Sequence, residues 1–301
     1  MPVRTEVAMG TLVTIHVVRS GTQADAAGVD AAMDRAFAWF HEIEARCTRF
    51  RERSELMQLT AQAGVPVPAS AILYEAVRFA LLVAQESGGA FDPTVGHRME
   101  SRGFNREHRT GEIVRTAIAS DDDVSYRDVE LDPDRKTITL RRRLTLDLGA
   151  VAKGLAVDTA ARELAGFRDF AIDAGGDLYL GGSNPRGAPW SVGIRHPRRG
   201  HELIDSLRVS NQAVCTSGDY ERRTPGAGHH ILDPRTGASP HAVASATVVA
   251  SGAMLADALA TAAFVLGPED GIQLLNRMGV DGLIVTPELE RYETRGLTHV
   301  A

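Results

Sequence analysis

The sequence predicts an α+β fold, with mixed or antiparallel sheets flanked by long helices, on three observations. Strand-like runs come in series instead of alternating strictly with helices, which disfavours a parallel sheet built from βαβ units. Residues 23–46 and 71–84 repeat apolar side chains at helical spacing. The 301 residues are 44% hydrophobic, enough to bury one large core or two tightly joined lobes.

Residues 11–18 carry β-branched side chains in rough alternation and read as a first strand. The period then changes, with Ala31, Met33, Ala36, Phe37, Phe40 and Ile43 falling on one helical face, and residues 71–84 repeat that pattern. Residues 104–123 are polar and charged, which predicts a surface excursion and the seam between lobes if the single domain is divided. Short strands are expected at 129–131, 137–140 and 144–148, parted by the turn DPDR and by Arg141 to Arg143, a solvated sheet edge. A helix at 151–164 precedes strands at 170–173, 178–180, 191–194 and 246–249, and the Ala-rich residues 253–266 read as a final helix. No internal repeat or low-complexity tract interrupts this order.

Composition narrows the function classes. Thirty-three basic residues stand against 39 acidic ones, a formal charge of −6, and no basic block is long enough to follow a phosphate backbone. Nucleic acid is therefore not an expected partner. Cys47 and Cys215 are the only cysteines, which gives neither a disulfide framework nor a paired-cysteine metal spacing. Two free thiols fit a reducing compartment. The start of the chain lacks the regions of a signal peptide, and no apolar stretch reaches the ~18 residues that suggest a membrane span. A cytoplasmic location is expected, although an exported form with its leader removed would read the same.

Five segments can carry chemistry. In DLGAVAKGLAVD, beginning at Asp147, a strand ends in an acid and a Gly-Ala turn opens a helix, a corner whose free N–H groups suit a phosphate-bearing ligand. Lys153 would add a mobile positive charge there. A helix cap followed by an exposed lysine explains the string equally well. IDAGGDLYLGG, from Ile172, reads as a tight hairpin with glycines at positive φ, or as close backbone approach to a ligand. In ADALATAAFVLG, Asp257 and Thr261 stand four apart on one helical face, where both oxygens can reach a hard cation such as magnesium. The alternative is an acid favoured by the helix dipole and a threonine bonded back to its own helix. TSGDYERR followed by HHILDPRTG is rich in turn chemistry, and one of His229 and His230 can enter a cleft because successive residues of an extended segment face opposite ways. No HExxH or third clustered ligand accompanies the pair, so zinc is not expected. GGAFDPTVG, from Gly88, predicts a helix exit through glycines into an Asp-Pro turn.

Together, and in this order, Met-Gly-Thr at Met9, SEL at Ser54, GAFDPTVG, DLGAVAKGLAVD, DAGGDLYLGG, TSGDYER, HHILDPRTG and ADALATAAFVLG resemble the FAD:protein FMN transferases, the ApbE family, along nearly the whole chain. The resemblance implies an ApbE-like, T-fold-like architecture. It also implies an FAD site at Met9, Phe50, Ala90, Phe91, Asp92, Asp147, Lys153 and Ile231. Mg2+ would be held by the carbonyl of Ala150 with the side chains of Asp257 and Thr261. FMN would pass from FAD to a Thr or Ser hydroxyl of an acceptor flavoprotein, with AMP released and His230 as the candidate general base. Two departures bear on this: Phe50 stands where the family often has Tyr, and HRMESRGFNREHRTG replaces an apolar stretch containing Trp, which touches acceptor choice. Most relatives are exported or lipid-anchored, whereas the expectation here is a cytoplasmic acceptor of redox type. An FAD pyrophosphatase releasing FMN and AMP, or a flavin-storage protein without turnover, are the alternatives.

Overall fold

Val13, Ile15 and Val17 alternate into the core along one strand face, and the main sheet grows from that face. The computed structural model describes residues 1–20, 26–107, 110–116, 120–121, 123–221, 223–224 and 228–300. In chain order, β1 (Val3–Ala8) and β2 (Thr11–Ser20) form a hairpin. After them come α1 (Ala26–Cys47), α2 (Glu55–Thr60), β3 (Val67–Pro68), α3 (Ala71–Glu86) and α4 (Gly96–Ser101). Next are β4 (Val129–Asp132), β5 (Thr137–Leu140), α5 (Gly149–Glu163), β6 (Phe167–Ala174), β7 (Asp177–Gly181), β8 (Trp190–Arg195), β9 (Leu203–Val209) and β10 (Gln212–Gly218). The chain continues through β11 (Arg223–Thr224), β12 (Gly228–His229), β13 (Ser245–Ala250), α6 (Ala253–Leu266), α7 (Pro268–Met278), β14 (Asp281–Val285) and β15 (Arg291–Glu293).

The expected α+β class is the one the chain adopts. Eight strands in the order β1-β2-β6-β7-β10-β13-β14-β15 make an open sheet. Its neighbours all pair antiparallel. Helices α1, α3, α5 and α6 bury one face around Phe40, Leu155 and Phe264, and the β8–β9 hairpin covers part of the other around Val192, Ile194 and Leu207. Central β13 is consequently buried at every position. A small sheet, β3-β5-β4, stands apart from the large one.

Two expectations need correction. Residues 144–148 are not a strand, although Leu144, Leu146 and Leu148 alternate into the core as a strand's would. Their backbone finds a turn instead of a ladder: Asp147 N–H donates to the Pro93 carbonyl at 2.7 Å and Gly96 N–H to the Thr145 carbonyl at 3.1 Å. The excursion at 104–123 is not wholly on the surface either, because Asn105 and Glu107 are buried and Arg106 bridges Ile113. Residues 108–109, 117–119 and 122 of that segment lie outside the described ones. Among the described residues no helix is long and apolar enough to cross a membrane.

Candidate active site

The first corner is set by an arginine that sequence reasoning missed. Arg49, 7% exposed, donates from Nε to Asp147 Oδ2 at 2.6 Å and from Nη2 to the Phe104 carbonyl. Its guanidinium lies over the Phe50 ring, 4.4 Å from the centroid. The other oxygen of Asp147 accepts from Gly149 N–H at 2.8 Å, which fixes the entry to α5. Next, Ala150 departs from helical geometry, with φ −91° and ψ 15°, and its carbonyl is turned out of the axial alignment of the helix.

One turn on, Lys153 meets two buried acids. Its Nζ forms an ion pair with Asp177 and lies 3.4 Å from Asp257 Oδ2. The second contact depends on Gly154, where a Cβ would stand 2.5 Å from the Met254 Cα; only glycine lets α5 lie this close to the backbone of α6. Asp177 opens β7 directly after Gly175 (φ 65°) and Gly176 (φ 97°), so the hairpin reading of DAGGD holds and the turn also delivers an acid to the site. A Cβ on Gly175 would fall 2.1 Å from Thr11 Oγ1, which places this turn against the β1–β2 turn. Met9 sits in that second turn at φ 51°, its N–H donating to Glu44 Oε2 at 3.2 Å.

Asp257, 8% exposed, and Thr261 share a face of α6 as expected. Thr261 Oγ1 is 3.1 Å from Ser217 Oγ on β10, a cross-element contact where a bond back to its own helix had been the alternative. Among the described residues no three His, Cys, Asp or Glu side chains converge as a metal site. Asp257 and Thr261 offer oxygen only, a carboxylate and a hydroxyl on one face of α6. Such a pair suits magnesium, which takes few protein oxygens and keeps several waters. Charge points the same way, since Asp177 and Asp257 share one ammonium and a buried excess acid calls for a cation.

The remaining residues divide into wall and frame. Phe104 stands edge-on to His230, with ring centroids 6.5 Å apart, so Asp147, Arg49, Phe50, Phe104 and His230 make a linked wall ending at buried Ile231. His229 is 1% exposed, with Nε2 at 2.9 Å from the Pro240 carbonyl and its ring against Phe264; it belongs to the core. Ala90 and Phe91 are buried. The Asp92 carboxylate accepts from Thr94 N–H, Thr94 Oγ1 and Tyr126 N–H, so it braces the turn, and burial holds its carboxyl above the ordinary range. That turn is joined by backbone bonds to the Asp147 segment. A groove of about 640 Å³ lined by Phe79, Asp158, Phe170 and Tyr179 lies at the far end of β6 and β7 and contains none of these residues.

Asp177 had a sequence signal, an acid straight after Gly-Gly. Arg49 and Ser217 had none, because nothing in their local spacing marks them as partners of Asp147 and Thr261.

A family model described as the ApbE family matches residues 9–284. The chain belongs to the ApbE family. It is 35% identical to the FAD:protein FMN transferase of Treponema pallidum over 95% of this chain and 84% of that one. It is 28% identical to the one from Haemophilus influenzae over 89% and 82% of the two chains. Among solved structures, the apbe protein of Thermotoga maritima matches with a TM-score of 0.85 at 29% identity, covering 98% of this chain and 97% of that one. The Pseudomonas stutzeri flavinyl transferase ApbE, in its apo form, gives 0.79 at 27% identity, with 98% and 95% covered. The ApbE match begins at Met9 and runs past Thr261, so every residue of the wall and of the lysine–aspartate cluster falls inside it.

Proposed function

We propose that this chain is an FAD:protein FMN transferase, which moves FMN from FAD to a Thr or Ser hydroxyl of an acceptor protein and releases AMP. The observation that carries the reading is Lys153 set between buried Asp177 and Asp257 at the N-terminal end of α5, beside the wall from Asp147 to His230. Near-full-length likeness to proteins of that name supports it.

The chemistry follows from charge. FAD's pyrophosphate is anionic, so an attacking hydroxyl meets repulsion and the leaving phosphate must be neutralised. Lys153, near the N-terminal end of α5, supplies a positive charge for that anion. Magnesium, when bound by Asp257, Thr261 and the Ala150 carbonyl, supplies further neutralisation at the phosphates. Phe50, backed by Arg49, offers a face on which an aromatic ring of FAD can stack. Met9, Ile231 and the turn of Ala90, Phe91 and Asp92 complete the FAD site in this reading. His230 takes the proton of the acceptor hydroxyl as its oxygen bonds the FMN phosphorus. The bond to the AMP phosphate breaks, and AMP leaves with the electron pair. A cytoplasmic redox protein is the acceptor class we propose.

The test is mass spectrometry on FAD, magnesium and the purified chain, with an acceptor domain carrying a flavinylatable Thr, while AMP release is followed. An FMN-sized mass gain on the acceptor, lost in Asp257→Ala, is the expected result. AMP and free FMN without labelling would replace transfer by hydrolysis, and tight FAD binding without AMP would leave a storage protein.

A further inference from the structure

We propose that Asp177 is a positioning residue for this reaction: it anchors the Lys153 ammonium away from Asp257 and so keeps the Asp257 carboxylate available to the divalent cation. The proposal rests on the transferase reading and assigns a role to a residue outside the metal and flavin contacts.

The two acids beside Lys153 differ in what holds them. Asp177 is 3% exposed and its backbone position is set on three sides, since it follows the Gly175–Gly176 turn, pairs with Ala174 in the β6–β7 register and sits under a turn wedged on Thr11. Lys153 carries its charge on a flexible four-carbon stem and can pair with whichever acid is nearer. Its Nζ pairs with Asp177 and lies 3.4 Å from Asp257 Oδ2.

Without the charge of Asp177, Lys153 and Asp257 would close into a neutral pair. A divalent cation would then have to displace an ammonium from the carboxylate it needs. With Asp177 charged, the three groups carry one net negative charge, the lysine is already satisfied, and the cation meets an acid in excess. The same anchor holds the ammonium at a constant distance from the N-terminus of α5, where the pyrophosphate is proposed to lie.

The experiment is a titration of the purified, flavin-free chain with Mn2+, read by electron paramagnetic resonance of the free ion, so that no turnover is required. Asp177→Asn should weaken Mn2+ binding about tenfold, the scale set by removing one nearby unit charge. Adding Lys153→Met to Asp177→Asn should restore most of that loss while FMN transfer stays impaired, because the competing ammonium is gone. In the otherwise wild-type chain Lys153→Met should change Mn2+ affinity by a smaller factor than it does beside Asp177→Asn. Wild-type affinity in Asp177→Asn, or no recovery in the double variant, overturns the proposal. Should Asp177→Asn not fold, loss of Mn2+ affinity in Lys153→Met alone overturns it, since a lysine parked on Asp177 does not help hold the metal. Asp257→Ala separates the two levels: unchanged Mn2+ binding there overturns the metal site and this proposal together, whereas loss there with none in Asp177→Asn overturns this proposal only.

Discussion

Gly154→Ala tests whether the contact between α5 and α6 sets the site. A Cβ at this position would lie 2.5 Å from the Met254 Cα and N and 2.6 Å from the Ala253 carbonyl carbon, all of them backbone atoms that cannot rotate aside. Carbon contacts are comfortable near ~3.5 Å, so the two helices must part by about 1 Å. Overpacking of this kind costs roughly 1–3 kcal/mol, and the better helix propensity of alanine returns about 1. With backbone as the obstacle we expect the upper end, a net loss of about 2 kcal/mol and a melting temperature lower by roughly 3 °C. The functional loss should be larger. Parting the helices takes Lys153 further from Asp257, now at 3.4 Å, and a displacement of this size costs ~10²-fold in rate when it misplaces groups around a reacting centre. Thermal melts and single-turnover AMP release measure the two effects. Gly166→Ala is the control, because its Cβ would meet nothing within 4 Å. A Gly154→Ala chain that melts at or above the wild-type temperature and transfers FMN at the wild-type rate would refute the packing argument.

Three other outcomes can be checked. Asp158 accepts from Ala253 N–H at 2.6 Å and Met254 N–H at 3.0 Å, capping α6 from a neighbouring helix, so Asp158→Ala should lose about 1–2 kcal/mol in urea denaturation. Burial, opposed by those two bonds, holds its carboxyl above the ordinary 3.8. The folded chain thus binds the proton more tightly than the unfolded one, and the Asp158 contribution is full below 3.8 and declines as pH rises through the raised value. Wild-type stability minus that of Asp158→Asn should accordingly fall as pH rises above 3.8, and a rising difference would reverse this sign. Burial pushes the Cys47 thiol up to about 12 and the Cys215 thiol well above its ordinary value, so iodoacetamide should label neither in the native chain at mildly alkaline pH and both after unfolding. His230→Ala should bind FAD normally and label the acceptor ~10²-fold more slowly, as loss of a general base does; full transfer rate would remove His230 from the mechanism.

Much of the fold was legible because it rests on local periodicity. Helices expected at 71–84 and 253–266 appear as Ala71–Glu86 and Ala253–Leu266, where an apolar stripe or an alanine run decides the backbone by itself. The strand expected at 137–140 appears with those bounds. Residues 144–148 misled for a physical reason: alternation reports which side chains are buried, and it does not say whether a backbone finds a ladder or a turn. Strand β9 escaped notice because its partly exposed face weakens alternation, β10 because it is buried on both faces and shows none, and β1 because Val3, Thr5 and Val7 face outward. In the site, Asp257 and Thr261 were readable together since one helix carries both. The links from Arg49 to Asp147, Lys153 to Asp177 and Thr261 to Ser217 join distant segments, and only the tertiary pairing could reveal them.

The pairing of β2 with β6 also governs when the site can exist during synthesis. Val13 pairs with Ala174 only after the intervening segment has been made, and contacts of such long sequence separation form slowly. Asp257 and Thr261 emerge later still, on a helix that packs against β10 and β13. A nascent chain therefore carries Arg49, Asp147 and Lys153 well before the two side-chain oxygens proposed to hold the metal. Until α6 docks, a ribosome-bound intermediate lacks the side chains proposed to hold the metal, so competence for the proposed reaction arrives as one of the last events of folding.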